Sequence, residues 1–195
     1  MNKIILDNAS DVKLNIKEDS ICNINNKNNL DNLDINIEDG VTFILNEYSE
    51  IEKRDYKINI KQSNRSNFIY NHSYKVNDLY NLNINISMNG NNSKNTINIH
   101  GINDFGKSNV VIDGIVSKDT VDNELYENIK LLNINNGMGT IYPNMYIDTK
   151  NVIANHAATI TDIDEDYLFY MNSKGIDNDK AKELIIDGFL DNEAR

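Results

Sequence analysis

The sequence predicts an all-β body followed by a pair of short helices, and three observations carry this prediction. Apolar and polar residues alternate with a period of two over most of residues 1–160, which is typical of strands with one buried face. Clusters of Asn, Gly, Ser and Asp separate the alternating runs. From residue 161 onward, apolar residues recur at helical spacing instead. We therefore expect a β domain over residues 1–160 and a C-terminal helical segment over residues 161–195.

The alternating runs predict about ten strands. The clearest run covers residues 82–88, where Leu, Ile and Met alternate with Asn and Ser. Other runs cover 33–37, 41–45, 56–60, 97–99, 110–112 and 129–131, with turn clusters at 63–66, 89–93, 104–107 and 135–139. Asn is abundant throughout, and it tolerates the left-handed backbone that tight corners require. The pattern leaves the architecture open, because a sandwich, a barrel and a β-solenoid all show this alternation and no fixed repeat is present.

The spacing of apolar residues in the helical segment predicts a hairpin of two helices, 163–173 and 179–190. Thr161 or Asp162 is placed to cap the first helix, and Gly175 occupies the position where a left-handed residue ends it. Asp177 is placed to cap the second helix.

Composition narrows the classes of function. The formal charge of −11 argues against nucleic acid and anionic membranes as partners, because both require a cationic face. The N-terminal apolar run is too short for a signal peptide, and no run approaches the roughly 18 apolar residues of a membrane span. The single cysteine cannot form an internal disulfide. We therefore expect a soluble cytoplasmic protein.

Few residues stand out as sites of chemistry. Cys22 lies in an alternating run, and one thiol cannot build a four-thiolate iron–sulfur site or a structural zinc site. His72 and His100 lie in strand-like runs without neighbouring ligand residues, so both are expected to be structural. No Gly-rich loop with a lysine is present, and no nucleotide is expected on this chain.

His156 differs in its context, because it lies near the end of the last predicted strand and precedes the small residues Ala157 and Ala158. Small residues allow backbone elements to approach closely. Chemistry alone favours a buried histidine bonded to a carbonyl, with a metal ligand as the alternative.

Two motifs near the C-terminus carry a resemblance. The first is His156-Ala157-Ala158-Thr159, and the second is the run Leu-Phe-Tyr-Met-Asn-Ser-Lys-Gly-Ile at 168–176. With their spacing, and with the Ala, Leu, Ile, Gly and Phe residues of 181–189, they resemble the C-terminal core of the SufB/SufD family. Members of that family are scaffold subunits of the SUF iron–sulfur cluster assembly machine. The resemblance covers about residues 95–190.

The resemblance implies a right-handed parallel β-helix, or β-solenoid, with a C-terminal α-helical hairpin. It implies a non-enzymatic, SufD-like scaffold that binds an ABC-type ATPase (SufC-like) and a second β-helix protomer, either SufB-like or identical. A transient iron–sulfur cluster would be shared with that partner subunit. His156 matches the SufD-type histidine at the pairing interface, so it is the expected cofactor-binding and metal-binding residue.

The resemblance also implies that the C-terminal helices contact the ATPase. The residues expected at this contact are Tyr167, Leu168, Phe169, Tyr170, Gly175, Ile176, Leu184 and Ile185. The cysteine of SufB-type members has no counterpart here, so the chain is identified as a short SufD-like member. Two alternatives stay open: a degenerate β-helix interaction module without cluster chemistry, and a β-helix carbohydrate-active enzyme.

Overall fold

A computed structural model describes residues 1–190 as eleven strands and two helices. The strands are β1 (Asn2–Ile4), β2 (Asp11–Ile16), β3 (Ser20–Asn25), β4 (Asn32–Ile37), β5 (Thr42–Gln62), β6 (Asn67–Met88), β7 (Lys94–Asp104), β8 (Lys107–Val116), β9 (Asn123–Ile134), β10 (Met138–Ile147) and β11 (Val152–Asp162). The helices are α1 (Glu165–Ser173) and α2 (Asn178–Leu190). No helix in this part of the chain is long and apolar enough to cross a membrane.

The strands stack in parallel as two columns. One column runs β1, β3, the first half of β5, the first half of β6, β7, β9 and β11. The other runs β2, β4, the second half of β5, the second half of β6, β8 and β10. The two long strands pass from one column to the other where their register shifts, between Ile51 and Lys53. The chain is thus a parallel β-solenoid of about five turns with two C-terminal helices, and the fold prediction is confirmed.

The core lies between the two columns and is built by the predicted alternation. In the second half of β6, Leu82, Ile84, Ile86 and Met88 are buried, while the residues between them face outward. The largest fully buried side chains are aromatic: Tyr56, Tyr70, Tyr74, Tyr80, Phe43 and Phe68. Full burial of one large apolar side chain contributes about 1.5–3 kcal/mol. Successive coils therefore stabilise one another mainly by burying apolar side chains against each other.

A ladder of asparagines runs up the outside of the first column. Asn23, Asn46, Asn71, Asn98 and Asn128 occupy successive coils, and each amide donates to the one below at 2.9–3.1 Å. The bonded residues are 23, 25, 27 and then 30 positions apart. Because each coil is longer than the last, the sequence shows no fixed repeat although the structure repeats.

The corners use left-handed backbone, as the asparagine content predicts. Asn26, Asn92, Asn135 and Asn136 all have positive φ angles between 50° and 63°. The same conformation also occurs at residues that composition did not single out: Arg65, Phe105, Asp119 and Asp122.

Helix α1 begins later than predicted. Its N-cap is Asp164, which accepts a hydrogen bond from the amide of Asp166 at 2.9 Å. Neither Thr161 nor Asp162 caps the helix, because β11 continues through both residues in register with β9. Gly175, with φ of 85°, follows the helix as predicted.

Helix α2 anchors the hairpin to the solenoid. Asp177 caps it as predicted, accepting from the amide of Lys180 at 3.0 Å. At its other end, His100 Nδ1 donates to the carbonyl of Phe189 at 2.9 Å, and the Ser73 hydroxyl donates to that of Leu190 at 3.3 Å. Apolar residues of α2 pack there against Ile102 and Leu132 of the solenoid. Residues 191–195 of the predicted helical segment lie outside the described residues.

Candidate functional site

The last coil of the solenoid is open. Within residues 1–190, β10 pairs only with β8 and β11 pairs only with β9, so the outer edges of both strands carry unpaired backbone groups. Exposed large apolar residues lie on these strands: Met138, Tyr142, Tyr146, Ile147, Ile153 and Ile160. An edge that is neither covered nor charged is a template for another strand. This terminal coil is therefore a candidate interface.

His156 lies in the row of β11 that continues the core. Asn123, Leu125, Glu127, Ile129 and Leu131 of β9 are buried in alternation, and the register sets Val152, Ala154, His156, Ala158 and Ile160 directly over them. Val152 and Ala154 still pack on the core, whereas His156 is exposed. Its imidazole thus belongs to an inward row that no described strand covers. The expectation that His156 is buried and bonded to a carbonyl is wrong.

Glu127 lies one coil below His156, as its register partner. Its side chain is buried, and neither carboxylate oxygen has a hydrogen-bond partner in the described chain. Burial, with a smaller contribution from the charge of Asp113, raises the pKa of Glu127 from 4.5 to about 8. A buried carboxyl without a partner is costly, so this group takes up a proton or a cation.

Gly114, on the opposite column, makes room for this carboxyl. A Cβ atom at Gly114 would lie 3.0 Å from Glu127 Oε1 and 2.6 Å from Leu125 Cδ2. Any larger residue at position 114 would press on the carboxyl and on the core beside it.

The donor set near His156 does not complete a metal or cluster site from one chain. The described residues contain no group of three or more His, Cys, Asp and Glu that could hold a metal ion. Cys22 lies in β3, toward the other end of the strand order, and is buried. Burial, followed by the charge of Glu47, raises the pKa of its thiol to about 11. A cluster at His156 would therefore need donors from a second chain.

The other two histidines make internal contacts. His72 is fully buried, with Nδ1 3.3 Å from the carbonyl of Glu47 and Nε2 3.0 Å from the hydroxyl of Tyr80. Burial lowers the pKa of His72, and it also lowers that of His100, whose Nδ1 is bonded to α2. Both imidazoles therefore favour the neutral form and hold elements of the fold together.

Sequence reasoning missed three buried charged residues: Glu47, Arg54 and Glu127. Glu47 accepts from Arg54 Nη1 at 3.0 Å and from the hydroxyl of Tyr70 at 2.7 Å, and the side chains of Glu47 and Arg54 are fully buried. A signal was present, because Glu47 and Glu127 occupy inward positions of alternating runs where an apolar residue is expected. The abundance of acidic residues elsewhere hid it.

The helical hairpin exposes the aromatic part of the expected ATPase contact. In α1, Tyr167, Phe169 and Tyr170 are 66%, 76% and 60% exposed, and the helix buries no residue. Leu184 of α2 is also exposed. Of the remaining expected residues, Gly175 is exposed. The other three are half-buried: Leu168, Ile176 and Ile185. The hairpin thus presents an apolar surface on the side that does not anchor it.

Comparison with known proteins supports one family. A family model described as "SUF system FeS cluster assembly, SufBD core domain" matches residues 8–189. The chloroplastic protein ABCI7 of Arabidopsis thaliana is 41% identical over 49 residues, 25% of this chain and 10% of that protein. The iron–sulfur cluster assembly protein SufD of Bacillus subtilis is 40% identical over 52 residues, 27% of this chain and 12% of that protein. An iron–sulfur cluster assembly SufBD family protein of Mycobacterium leprae is 29% identical over 80 residues, 40% of this chain and 20% of that protein. The chain thus matches only 10–20% of the length of these curated relatives, whereas the family model spans nearly all of the chain.

Proposed function

From the premise that this chain belongs to the SufBD core family of iron–sulfur cluster assembly proteins, we propose that it acts as a SufD-like scaffold. In this role it pairs with a second β-helix protomer and binds an ABC-type ATPase, and it performs no catalysis itself. The observation that carries the proposal is the open terminal coil, where an unpaired strand edge and the exposed His156 lie together.

The pairing partner is supported by the physical state of that edge. An unpaired parallel strand of eleven residues with exposed apolar side chains favours association, and a strand from another protomer satisfies its backbone groups. The charge of the chain favours a partner edge that is less acidic. A SufB-like protomer, or a second copy of this chain, would complete the sheet.

Cluster binding is supported by the position of His156 rather than by a finished site. A neutral imidazole is a suitable ligand for iron. Iron and sulfide would be cargo here, held for a time at the pairing interface and then passed on. Since Cys22 is buried near the other end, thiolate donors would come from the partner.

The ATPase contact is supported by the exposed face of α1. Tyr167, Phe169 and Tyr170 expose large aromatic surface on a helix that buries nothing within the described chain. Aromatic residues of this kind dominate the energetics of protein interfaces. The nucleotide would be bound and hydrolysed by the partner alone.

Co-expression with a SufC-like ATPase and a SufB-like protomer tests the two contacts separately. Phe169→Ser is expected to abolish capture of the ATPase and to leave protomer pairing intact, because it removes an aromatic anchor from α1. Ile153→Lys is expected to abolish protomer pairing and to leave capture of the ATPase intact, because it puts a charge on the open edge. Ile5→Lys is the matched control, since Ile5 is 82% exposed near the other end of the solenoid.

Anaerobic reconstitution with iron and sulfide then tests the ligand role. His156→Ala is expected to lower cluster loading of the paired complex, measured by its visible absorption. Unchanged loading would remove His156 from the ligand set. If the partners bind and wild-type complexes never load, the chain is an interaction module without cluster chemistry, which the incomplete donor set also allows.

A further inference from the structure

The buried carboxyl of Glu127 is the one charged group in the described core that has no partner. Glu47, by comparison, is held by Arg54 and Tyr70. Both oxygens of Glu127 lack a hydrogen-bond partner, although the side chain is 0% exposed. A carboxyl removed from water in this way is neutralised by a proton or compensated by a cation, and an unpartnered buried carboxyl beneath an exposed imidazole provides a place for a cation.

We propose that Glu127 is a second metal-binding residue, which together with His156 holds a divalent transition-metal ion in the terminal coil. Ferrous iron is the ion relevant to cluster assembly. This inference rests on the proposed function for the identity of the metal, but its geometry is independent of it.

The register supports shared coordination. Glu127 and His156 are direct partners on neighbouring parallel strands, and such strands lie about 4.7–4.9 Å apart. Bonds from a metal ion to imidazole nitrogen and to carboxylate oxygen are each about 2.0–2.2 Å long, so two donors on one ion lie roughly 3–4 Å apart, depending on the angle between the bonds. A metal ion between the two side chains therefore fits the spacing of the coils without moving the backbone.

The space around the pair also supports a ligand. Gly114 lacks the Cβ atom that would crowd the carboxyl from the opposite column. Ala154 and Ala158 flank His156 in the same row, so no large side chain of β11 covers the imidazole on either side. The carboxyl is buried, and the exposed imidazole lies one strand above it.

The two donors differ in kind from a thiolate site. A carboxylate and an imidazole suit Fe²⁺ and similar ions, whereas thiolates favour clusters and softer ions. The terminal coil thus presents one oxygen and one nitrogen donor residue, and water or a protomer docked on the open edge fills the remaining positions. This predicts that iron binds to the chain before sulfide does.

Titration of the purified, metal-free chain with Co²⁺ tests the proposal, with visible absorption and calorimetry as readouts and Fe²⁺ as an anaerobic competitor. Wild-type protein is expected to bind Co²⁺ saturably and to release it only to an excess of Fe²⁺, which is the weaker binder at such donors. Glu127→Gln, which keeps the shape and removes the charge, is expected to weaken binding at least about tenfold, the size that even an outer partner of a metal ligand has. His156→Ala is expected to weaken it to a similar degree.

Two further variants control for folding and for charge. Glu127→Asp retains a carboxylate and is expected to bind more tightly than Glu127→Gln. Glu124→Gln, on the outward face of the same strand where Glu124 pairs with Lys94 at 3.1 Å, is expected to bind Co²⁺ as the wild type does. Circular dichroism establishes that each variant is folded.

The outcomes separate this inference from the proposed function. If Glu127→Gln binds Co²⁺ like the wild type, or if the wild type binds none, Glu127 is not a ligand. Pairing and ATPase capture are measured apart from metal binding. Their absence in the wild type would overturn the scaffold role while a Glu127-dependent Co²⁺ site still stood.

Discussion

Replacing Arg54 by methionine is expected to destabilise the solenoid strongly, because it breaks a fully buried ion pair. Arg54 Nη1 lies 3.0 Å from Glu47 Oε1, and neither side chain has any exposed surface. Arg54 also donates from Nε and Nη2 to the carbonyl of Leu30, at 3.0 and 2.7 Å. Its guanidinium carbon lies 3.7 Å from the centre of the Tyr56 ring.

The expected cost of Arg54→Met is about 3–5 kcal/mol in the free energy of unfolding. Methionine preserves most of the apolar volume, so little of this cost is due to a cavity. The main loss is electrostatic, because Glu47 is left buried without its cation and keeps the 2.7 Å hydrogen bond from Tyr70 as its strongest remaining contact. The carbonyl of Leu30 also loses two donors, which adds to the cost.

The assay is urea-induced unfolding followed by circular dichroism, performed as a double-mutant cycle. Glu47→Leu with Arg54→Met is expected to recover most of the loss, since replacing both members of a buried pair by apolar groups is often neutral. Lys94→Met is the matched control, because the Lys94–Glu124 pair is half-exposed and is worth at most about 1 kcal/mol. If Arg54→Met costs no more than this control, or if the double variant loses the sum of the single losses, the reasoning fails.

The same pair has a pH dependence with a definite sign. Burial alone would raise the pKa of Glu47, but the neighbouring His72, the charge of Arg54 and the hydrogen bonds from Tyr70 and Arg54 lower it below 4.5. The stability from Glu47 is therefore complete above pH 4.5 and is lost as the pH falls through its lowered value. Removing Arg54 should shift that loss to higher pH.

Three other predictions follow from local geometry. Because the pKa of Glu127 is raised to about 8, the contribution of Glu127 to the free energy of unfolding is complete below pH 4.5 and is lost as the pH rises to about 8. The melting temperature of Glu127→Gln should therefore vary less over this range than that of the wild type. Gly101→Ala should lower the free energy of unfolding by about 1–3 kcal/mol, measured by urea denaturation, because its Cβ would lie 2.2 Å from the buried ring of Tyr74. Gly188→Ala should leave it unchanged, because nothing lies within 4 Å of the added Cβ. His100→Ala should cost about 1 kcal/mol and speed amide exchange in α2, and unchanged exchange would mean that the hydrogen bond to the helix does not anchor it.

Much of the fold was predictable because strand faces are encoded locally. The alternation at 82–88 predicts burial of Leu82, Ile84, Ile86 and Met88, and all four are buried. Asp177 and Gly175 mark helix ends because capping and left-handed backbone depend on a few neighbouring residues. The start of α1 was misplaced because tertiary pairing of β11 extends the strand through the predicted cap.

The candidate site was predictable only in part. His156 was identified through a motif, and its exposure in an inward row depends on its being in the last described coil. Glu127 was missed because nothing in its own segment relates it to His156. The two become neighbours only when the register of β9 and β11 is known.

The sequence alone therefore determined which residues face the core, where the chain turns and where it changes from strand to helix. These properties follow from backbone preferences and from a two-residue period, which act over a few positions. Only the tertiary structure decided which coil lies on which. Asn23 bonds Asn46 across 23 positions, whereas Asn98 bonds Asn128 across 30. The spacing equals the combined length of the strands and corners in one coil. It is therefore decided only when the chain folds back on itself and buries one row of side chains over the next.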